Sequence, residues 1–325
     1  MNSEYPRIVF ERMYAALNFI EGGADFEKAR ALIPFVYYFL FFILFTHLEG
    51  LDHLIAQGGQ NFAPLFPLFW ATNLPFSTTA TIVLSFSTVA ALGAAFAPLS
   101  RIARGLAFFG FFEYHAFLNS FGSPEHQLDH WLWISFILIF LPKLAHDAPK
   151  DERKKFSLVV WTVQAYLLLT YSMAGIGKLI YLGIQFAHHQ SNALSLDAGA
   201  LYIASQLNLM GERTPLGPFI VDHPWIAWLP FLALLELQTF AFVAAFRPRL
   251  HRLWGLCLIL FHLGTFFTMR AVFVAPSALL MVLLLASPFA PKASLRETIG
   301  EIPLFGRALL FWENLTRKNA TSGIS

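Results

Sequence analysis

The residues able to carry chemistry fall at a few points along an otherwise apolar chain. Glu113, His115 and Asn119 share one apolar stretch, and His126, Asp129 and His130 open the next. Lys178 ends a third, Glu236 sits in the middle of a fourth, and His262 lies in a fifth with Arg270 shortly after it. Ionisable groups are costly in a bilayer, so they normally face a helix-bundle interior or a wet cavity. Each also has a plainer reading. His53 and His223 read as solvated end residues, Lys178 as an amine that snorkels to the headgroups, and Glu236 as an acid hydrogen-bonded between helices. His126 and His130 are spaced i, i+4, so on a helix they share a face with Asp129 beside them, as metal ligands would. A membrane di-iron site uses several such histidine boxes. Here there is one His-x-x-x-His and one adjacent pair, His188 and His189, so no metal is expected.

The elements that must position these residues are membrane helices. Of the 325 residues 57% are hydrophobic, 13% are charged and 36 are Phe. Soluble domains carry about 25% charged residues, so lipid is the expected solvent and nucleic acid is not an expected partner. Apolar runs predict an all-α, polytopic transmembrane bundle of about eight spans, at 32–48, 76–98, 103–120, 129–145, 157–180, 225–246, 253–269 and 272–289. The last two are nearly continuous around Met269, Arg270 and Ala271.

Charge placement tests that count. Arg7, Arg12, Lys28 and Arg30 precede the first span, and Arg101 and Arg104 fill the second break. The clusters around Lys150–Lys155, Arg247–Arg252 and the tail complete nineteen of the 22 Lys and Arg, all in alternate segments. Only Lys178, Arg213 and Arg270 fall in the others. The positive-inside bias then predicts both termini in the cytoplasm, in a multi-pass protein of the bacterial inner membrane. Nine of the eleven histidines fall towards the opposite face, which predicts a polar pocket open to the periplasmic or lumenal side. Segment 1–31 reads as a cytoplasmic amphipathic stretch, 32–290 as the transmembrane domain and 291–325 as a cytoplasmic tail with a surface helix over 296–316. The first span reads as an uncleaved signal. Residues 62–75, apolar and broken by prolines, are too short to cross and read as interfacial. A helix around Ala198–Leu209 and a turn at Gly211–Pro218 are expected in the longest outer connection. The single Cys257 excludes an internal disulfide.

One segment resembles a known family. Tyr171-Ser-Met-Ala-Gly-Ile-Gly-Lys-Leu179 looks like the Tyr-x-x-Ala-Gly-x-x-Lys-Leu segment of the vitamin K-dependent gamma-glutamyl carboxylase family, also called the HTTM (horizontally transferred transmembrane) family. Asp25–Leu32, Asp129-His130-Trp-Leu-Trp133, Leu234-Leu-Glu236, Phe261-His262 with Phe273, and Leu285-Ala-Ser-Pro-Phe289 resemble its other segments in the same order. The resemblance covers most of residues 25–290. It implies a lysine base that deprotonates a reduced quinone, which reacts with O₂ to give an epoxide and a base strong enough for carboxylation of glutamate. Lys178 matches that lysine and His130 the family's histidine. Desolvation lets an amine release its proton more readily, so Lys178 could act as a base, with His130 hydrogen-bonding a quinone oxygen or an oxyanion. Apolar, aromatic walls suit such a hydrophobic ligand. His126, Asp129, Glu113, His115, Glu236, His262 and Arg270 would line the pocket.

The chain also departs from that pattern. The large lumenal domain of the vertebrate enzyme is not expected here, Gly177 stands where the family has a second lysine, and the expected Asp and Trp are missing from Ile180–Gln185. Carboxylation of a propeptide-bearing protein is therefore not expected, whereas quinol-dependent oxygen chemistry is. Two other functions compete with it: a proton-coupled transporter with Glu236, Glu113 and the histidines as relay, and a non-catalytic membrane scaffold.

Overall fold

Long apolar runs demand helices, because only internal hydrogen bonding satisfies a backbone removed from water. A computed structural model describes residues 20, 25–56, 59, 61–122, 126–143, 148–188, 194–210, 214–304 and 306. In chain order its helices are α1 (Phe26–Glu49), α2 (Leu51–Ala56), α3 (Phe76–Phe96), α4 (Arg101–Asn119), α5 (Asp129–Ile139), α6 (Lys150–Ala187) and α7 (Ala198–Met210). They continue as α8 (Gly217–Asp222), α9 (Pro224–Thr239), α10 (Ala241–Ala245), α11 (His251–Met269), α12 (Val274–Leu280) and α13 (Leu295–Gly300). Short 3₁₀ turns occupy Phe66–Ala71 and Pro248–Leu250, and α12 runs into a π-helical turn at Met281–Leu285. The described residues contain no strand. Two units emerge: a first of Ala24–Leu167 with Val274–Pro288, and a second of Met1–Gly23, Leu168–Phe273 and Phe289–Ser325.

In the first unit, α1 starts at Asp25, whose side chain accepts from the Lys28 amide at 3.0 Å. Its buried residues Ala29, Leu32, Ile33, Val36, Tyr37, Leu40 and Leu44 repeat every three or four positions and form one stripe. Small side chains on α3 let α4 approach closely. A Cβ on Gly110 would lie 3.0 Å from the Ser87 Cα, and the Ser87 hydroxyl donates to the Gly110 carbonyl at 2.6 Å. The Trp131 indole on α5 donates to the Ala275 carbonyl at 3.0 Å, which ties α5 to α12. At the π turn the Leu283 carbonyl accepts from the Gln164 amide on α6. Arg104 differs from its sequence reading: instead of filling a polar break it lies inside α4, fully buried. It donates to the Pro98 carbonyl at 2.7 Å and to the Leu141 carbonyl at 2.5 Å.

In the second unit, residues 168–187 of α6 pack on α9, α10 and α11. The close approach is at Gly175, where an added Cβ would lie 2.4 Å from the Thr239 amide nitrogen and 2.7 Å from the Gln238 carbonyl carbon. The Ser172 hydroxyl donates to the Thr239 carbonyl at 3.1 Å and accepts from the Phe242 amide at 2.7 Å. It thus takes up backbone groups released where α9 gives way to α10. The Trp254 indole on α11 donates to the Leu237 carbonyl at 2.9 Å. Arg270 ends α11 in the left-handed conformation, with φ 54°, so the run that looked nearly continuous in sequence is broken there. In α13, Ser294 and Glu297 form a reciprocal capping box.

Four segments are long and apolar enough to cross a membrane: Phe26–Glu49, Phe76–Phe96, Lys150–Ala187 and Pro248–Met269. The other expected spans are shorter or more polar. Helix α5 has 11 residues, about 16 Å of rise against about 30 Å of hydrocarbon. The expected 225–246 span is interrupted at Phe240, and α4 carries Arg104 and Glu113. The expected helix at Ala198–Leu209 is present as α7, whereas the expected turn at Gly211–Pro218 already gives way to α8 at Gly217. Instead of continuing over 296–316, α13 ends at Gly300, and Leu304 has φ 59°. Residues 307–325 and most of the N-terminal amphipathic segment lie outside the described residues.

The Gly175 contact gives a paired prediction. Gly175→Val forces α6 and α9 apart and lowers stability by about 1–3 kcal/mol. Gly177→Ala, where a Cβ meets nothing within 4 Å, leaves stability equal or higher. Thermal melting of the detergent-purified variants reads the difference.

Candidate functional site

The segment Tyr171–Lys178 makes about two turns of α6, and Tyr171, Gly175 and Lys178 share one side of it. Tyr171 is buried, and its hydroxyl lies 2.7 Å from His262 Nε2 on α11. The His262 ring packs on Phe273 at 4.7 Å between centroids, and its Nδ1 is out of solvent. Next come the Ser172 staple and the Gly175 crossing, and two turns beyond Tyr171 stands Lys178. Its Nζ donates to Gln238 Oε1 at 2.7 Å. Gln238 is itself buried at the end of α9. Among the described residues no carboxylate is within ion-pair reach of Lys178. The amine therefore meets a neutral amide beside the close approach of two helices.

Glu236 stands two residues before Gln238, which on an α-helix turns it to a different side. It is half-buried, with one carboxylate oxygen out of solvent. Arg270 is exposed in its left-handed cap. Of the residues expected near Lys178, His262 is placed on the Tyr171 face, and Gln238 is the partner that the sequence reading missed. Its only sequence signal is a lone amide near the end of an apolar run.

A second polar cluster belongs to the first unit. Asp129, at the first turn of α5, accepts from two imidazoles: His115 Nε2 at 2.8 Å and His126 Nδ1 at 3.2 Å. The side chains are 15% exposed at His115, 40% at Asp129 and 79% at His126, so the chain of bonds runs outward from α4. The Asn119 amide lies 3.3 Å from His115 Nδ1, and an amide N–H only donates. Nδ1 is therefore the acceptor and Nε2 carries the proton given to Asp129. Glu113, two residues before His115 on α4, is buried and accepts from the Trp70 indole at 3.0 Å. Tyr114 Oη lies 2.7 Å from His47 Nδ1 at the end of α1. Trp70 comes from the 3₁₀ turn in the segment expected to be interfacial, where Phe66, Phe69 and Trp70 are all well exposed. Nothing in the sequence pointed to Trp70 as the partner of Glu113.

His130 follows Asp129 on α5, half-buried with Nδ1 out of solvent. It belongs to the first unit and Lys178 to the second. Of the expected site residues, His115, His126 and Asp129 are joined directly. Glu113 is held by Trp70, and Lys178 and His262 are on one side of α6. His189 lies outside the described residues.

No family model, curated protein or solved structure matches the chain.

The Tyr171–His262 bond is open to a double-mutant cycle. Tyr171→Phe and His262→Phe, singly and together, are expected to give a coupling of about 0.6 kcal/mol, with a ceiling of about 1.7 kcal/mol, as for hydrogen bonds between membrane helices. Unfolding of the four proteins in mixed detergent measures it, and zero coupling removes this contact from the packing of α6 on α11.

Proposed function

We propose that the protein is an integral membrane enzyme of quinol-dependent oxygen chemistry, related to the vitamin K-dependent carboxylase/epoxidase family, with Lys178 as its base. The observation that carries this reading is the neutral partner of the Lys178 amine. A proton-accepting amine cannot be held as a cation by a fixed carboxylate, and here the group beside it is Gln238 Oε1. The donor set fits a reduced quinone: an amine to receive a proton from a ring hydroxyl, an amide to orient that amine, and apolar side chains such as Ile176 and Leu179 on the same stretch of α6. Such a cofactor supplies the electrons for reaction with O₂. Lys178 Nζ takes the hydroxyl proton, Gln238 fixes the amine's direction, and Ser172 and Gly175 hold α6 against α9 so that the pair keeps its geometry.

The same reading includes eight spans, both termini in the cytoplasm of a bacterium and the site open to the periplasmic side. The alternation of Lys and Arg along the chain supports this. The shorter helices α5, α9 with α10, and α12 with its π turn would cross as parts of the bundle, which is tolerated where broken backbone is buried in protein.

Two experiments test these proposals. With purified protein, a naphthoquinol and O₂, Lys178→Met is expected to lower oxygen consumption about a hundredfold or more. Binding of the oxidised quinone, read by tryptophan quenching, should persist in the same variant. Normal turnover in Lys178→Met removes Lys178 as the base, and absence of both turnover and binding in the unaltered protein removes the quinol reading. For topology, single cysteines are placed in a Cys257→Ser background at His53→Cys or Lys292→Cys, both exposed positions. A membrane-impermeant maleimide on intact cells is expected to label the first and spare the second.

A further inference from the structure

A cleft in the first unit, none of whose lining residues belongs to either polar cluster described above, gathers positive charge. It has a volume of about 850 Å³ and is walled by α1, the turn between α3 and α4, the start of α4 and the segment after α5. Among the described residues three cations line it, Arg30, Arg101 and Lys143, with Glu27 the one acid. Among the described residues none of the three cations forms an ion pair. Three like charges around one concavity repel one another, so the arrangement favours an anion that all three can reach.

The walls are built to hold that shape. Arg104, fully buried one turn beyond Arg101, donates to the carbonyls of Pro98 and Leu141. Pro98 itself lines the cleft, and Leu141 is two residues before Lys143. One guanidinium thus anchors two of the segments that carry the cations. The rim is apolar: Phe96 is 73% and Ile102 78% exposed, and both line the cleft. Bare aromatic and branched side chains beside cations suit a ligand with an anionic head and hydrocarbon attached.

We infer that this cleft binds the phosphate headgroup of an anionic phospholipid between Arg30, Arg101 and Lys143, with the acyl chains leaving over Phe96 and Ile102. A basic pocket between membrane helices is a recurrent way of holding such headgroups. The bilayer in which the chain resides supplies the ligand. A free phosphate shares the head chemistry but has no use for the apolar rim.

Native mass spectrometry of the full chain in detergent, titrated with phosphatidylglycerol or phosphatidylcholine of identical acyl chains, tests the inference. The unaltered protein is expected to prefer phosphatidylglycerol. Arg101→Gln and Lys143→Gln should each weaken that binding about fivefold, the factor that corresponds to about 1 kcal/mol per cation at a membrane surface, and leave phosphatidylcholine binding unchanged. Equal binding of the two lipids, or retention of the preference in the double variant, overturns the site. Inorganic phosphate in excess is the second arm: displacement of phosphatidylglycerol only at concentrations far above the lipid's own supports the lipid reading, whereas displacement at matching concentration overturns it. If the double variant fails to fold, the salt dependence of the unaltered protein decides. Preference for phosphatidylglycerol should fall as ionic strength rises, and a salt-independent preference overturns the electrostatic site.

Discussion

The absence of a side chain at Gly175 is the constraint from which the arrangement around Lys178 follows. With any Cβ there, α6 could not lie against the backbone of Gln238 and Thr239. Because it does, Ser172 reaches the backbone groups freed where α9 breaks, and the Lys178 amine reaches the Gln238 amide. On the same side of α6, Tyr171 reaches His262. These are all polar contacts inside apolar helices. A polar group left without a partner there would cost several kcal/mol on the order of a lost hydrogen bond in hydrocarbon, so close backbone approach and polar satisfaction are two aspects of one solution.

The two polar clusters solve different problems. Around Asp129 one carboxylate serves two imidazoles, and a gradient of exposure from His115 to His126 carries the bonds towards solvent. Such an arrangement can share a proton along its length. Around Lys178 no carboxylate takes part among the described residues, and the amine's partner is a neutral amide. An acid in place of Gln238 would fix the positive charge and hold the amine as a structural cation. Gln238 gives direction without charge, an arrangement compatible with the base proposed for Lys178.

Much of this was legible in the chain because hydrophobic periodicity and charge placement are local signals. The expected span 32–48 falls within α1, which begins earlier at Phe26, the expected span 76–98 falls on α3, and the helix expected at Ala198 is present as α7. Helices α5 and α9 were harder. Apolar composition continues past Ile139 and Thr239, but Pro142 and the break at Phe240 end the helices. Composition alone does not register a break that a distant hydroxyl, Ser172, stabilises. Partners were hidden for the same reason. The motif residues Tyr171, Gly175 and Lys178 stood out in sequence, whereas Gln238 and Trp70 become meaningful only when helices far apart along the chain are brought together.

Arg104 shows how a global rule and a local structure can read the same residue differently. Counted as a loop charge, it supports the cytoplasmic placement of the α3–α4 turn. In the fold it is a buried tie between the Pro98 and Leu141 carbonyls. A guanidinium buried against carbonyls keeps its charge and spreads it over several acceptors, so it serves as a fixed strut and adds little to the charge displayed at the surface. The orientation bias at that turn then rests on Arg101. The clusters at Lys150–Lys155 and Arg247–Arg252 carry the larger share, and the topology proposal survives the reassignment. The same reassignment gives the neighbouring cleft its rigidity. Arg101 and Lys143 stay available at its edge because a third cation, one turn deeper, holds their backbones in place.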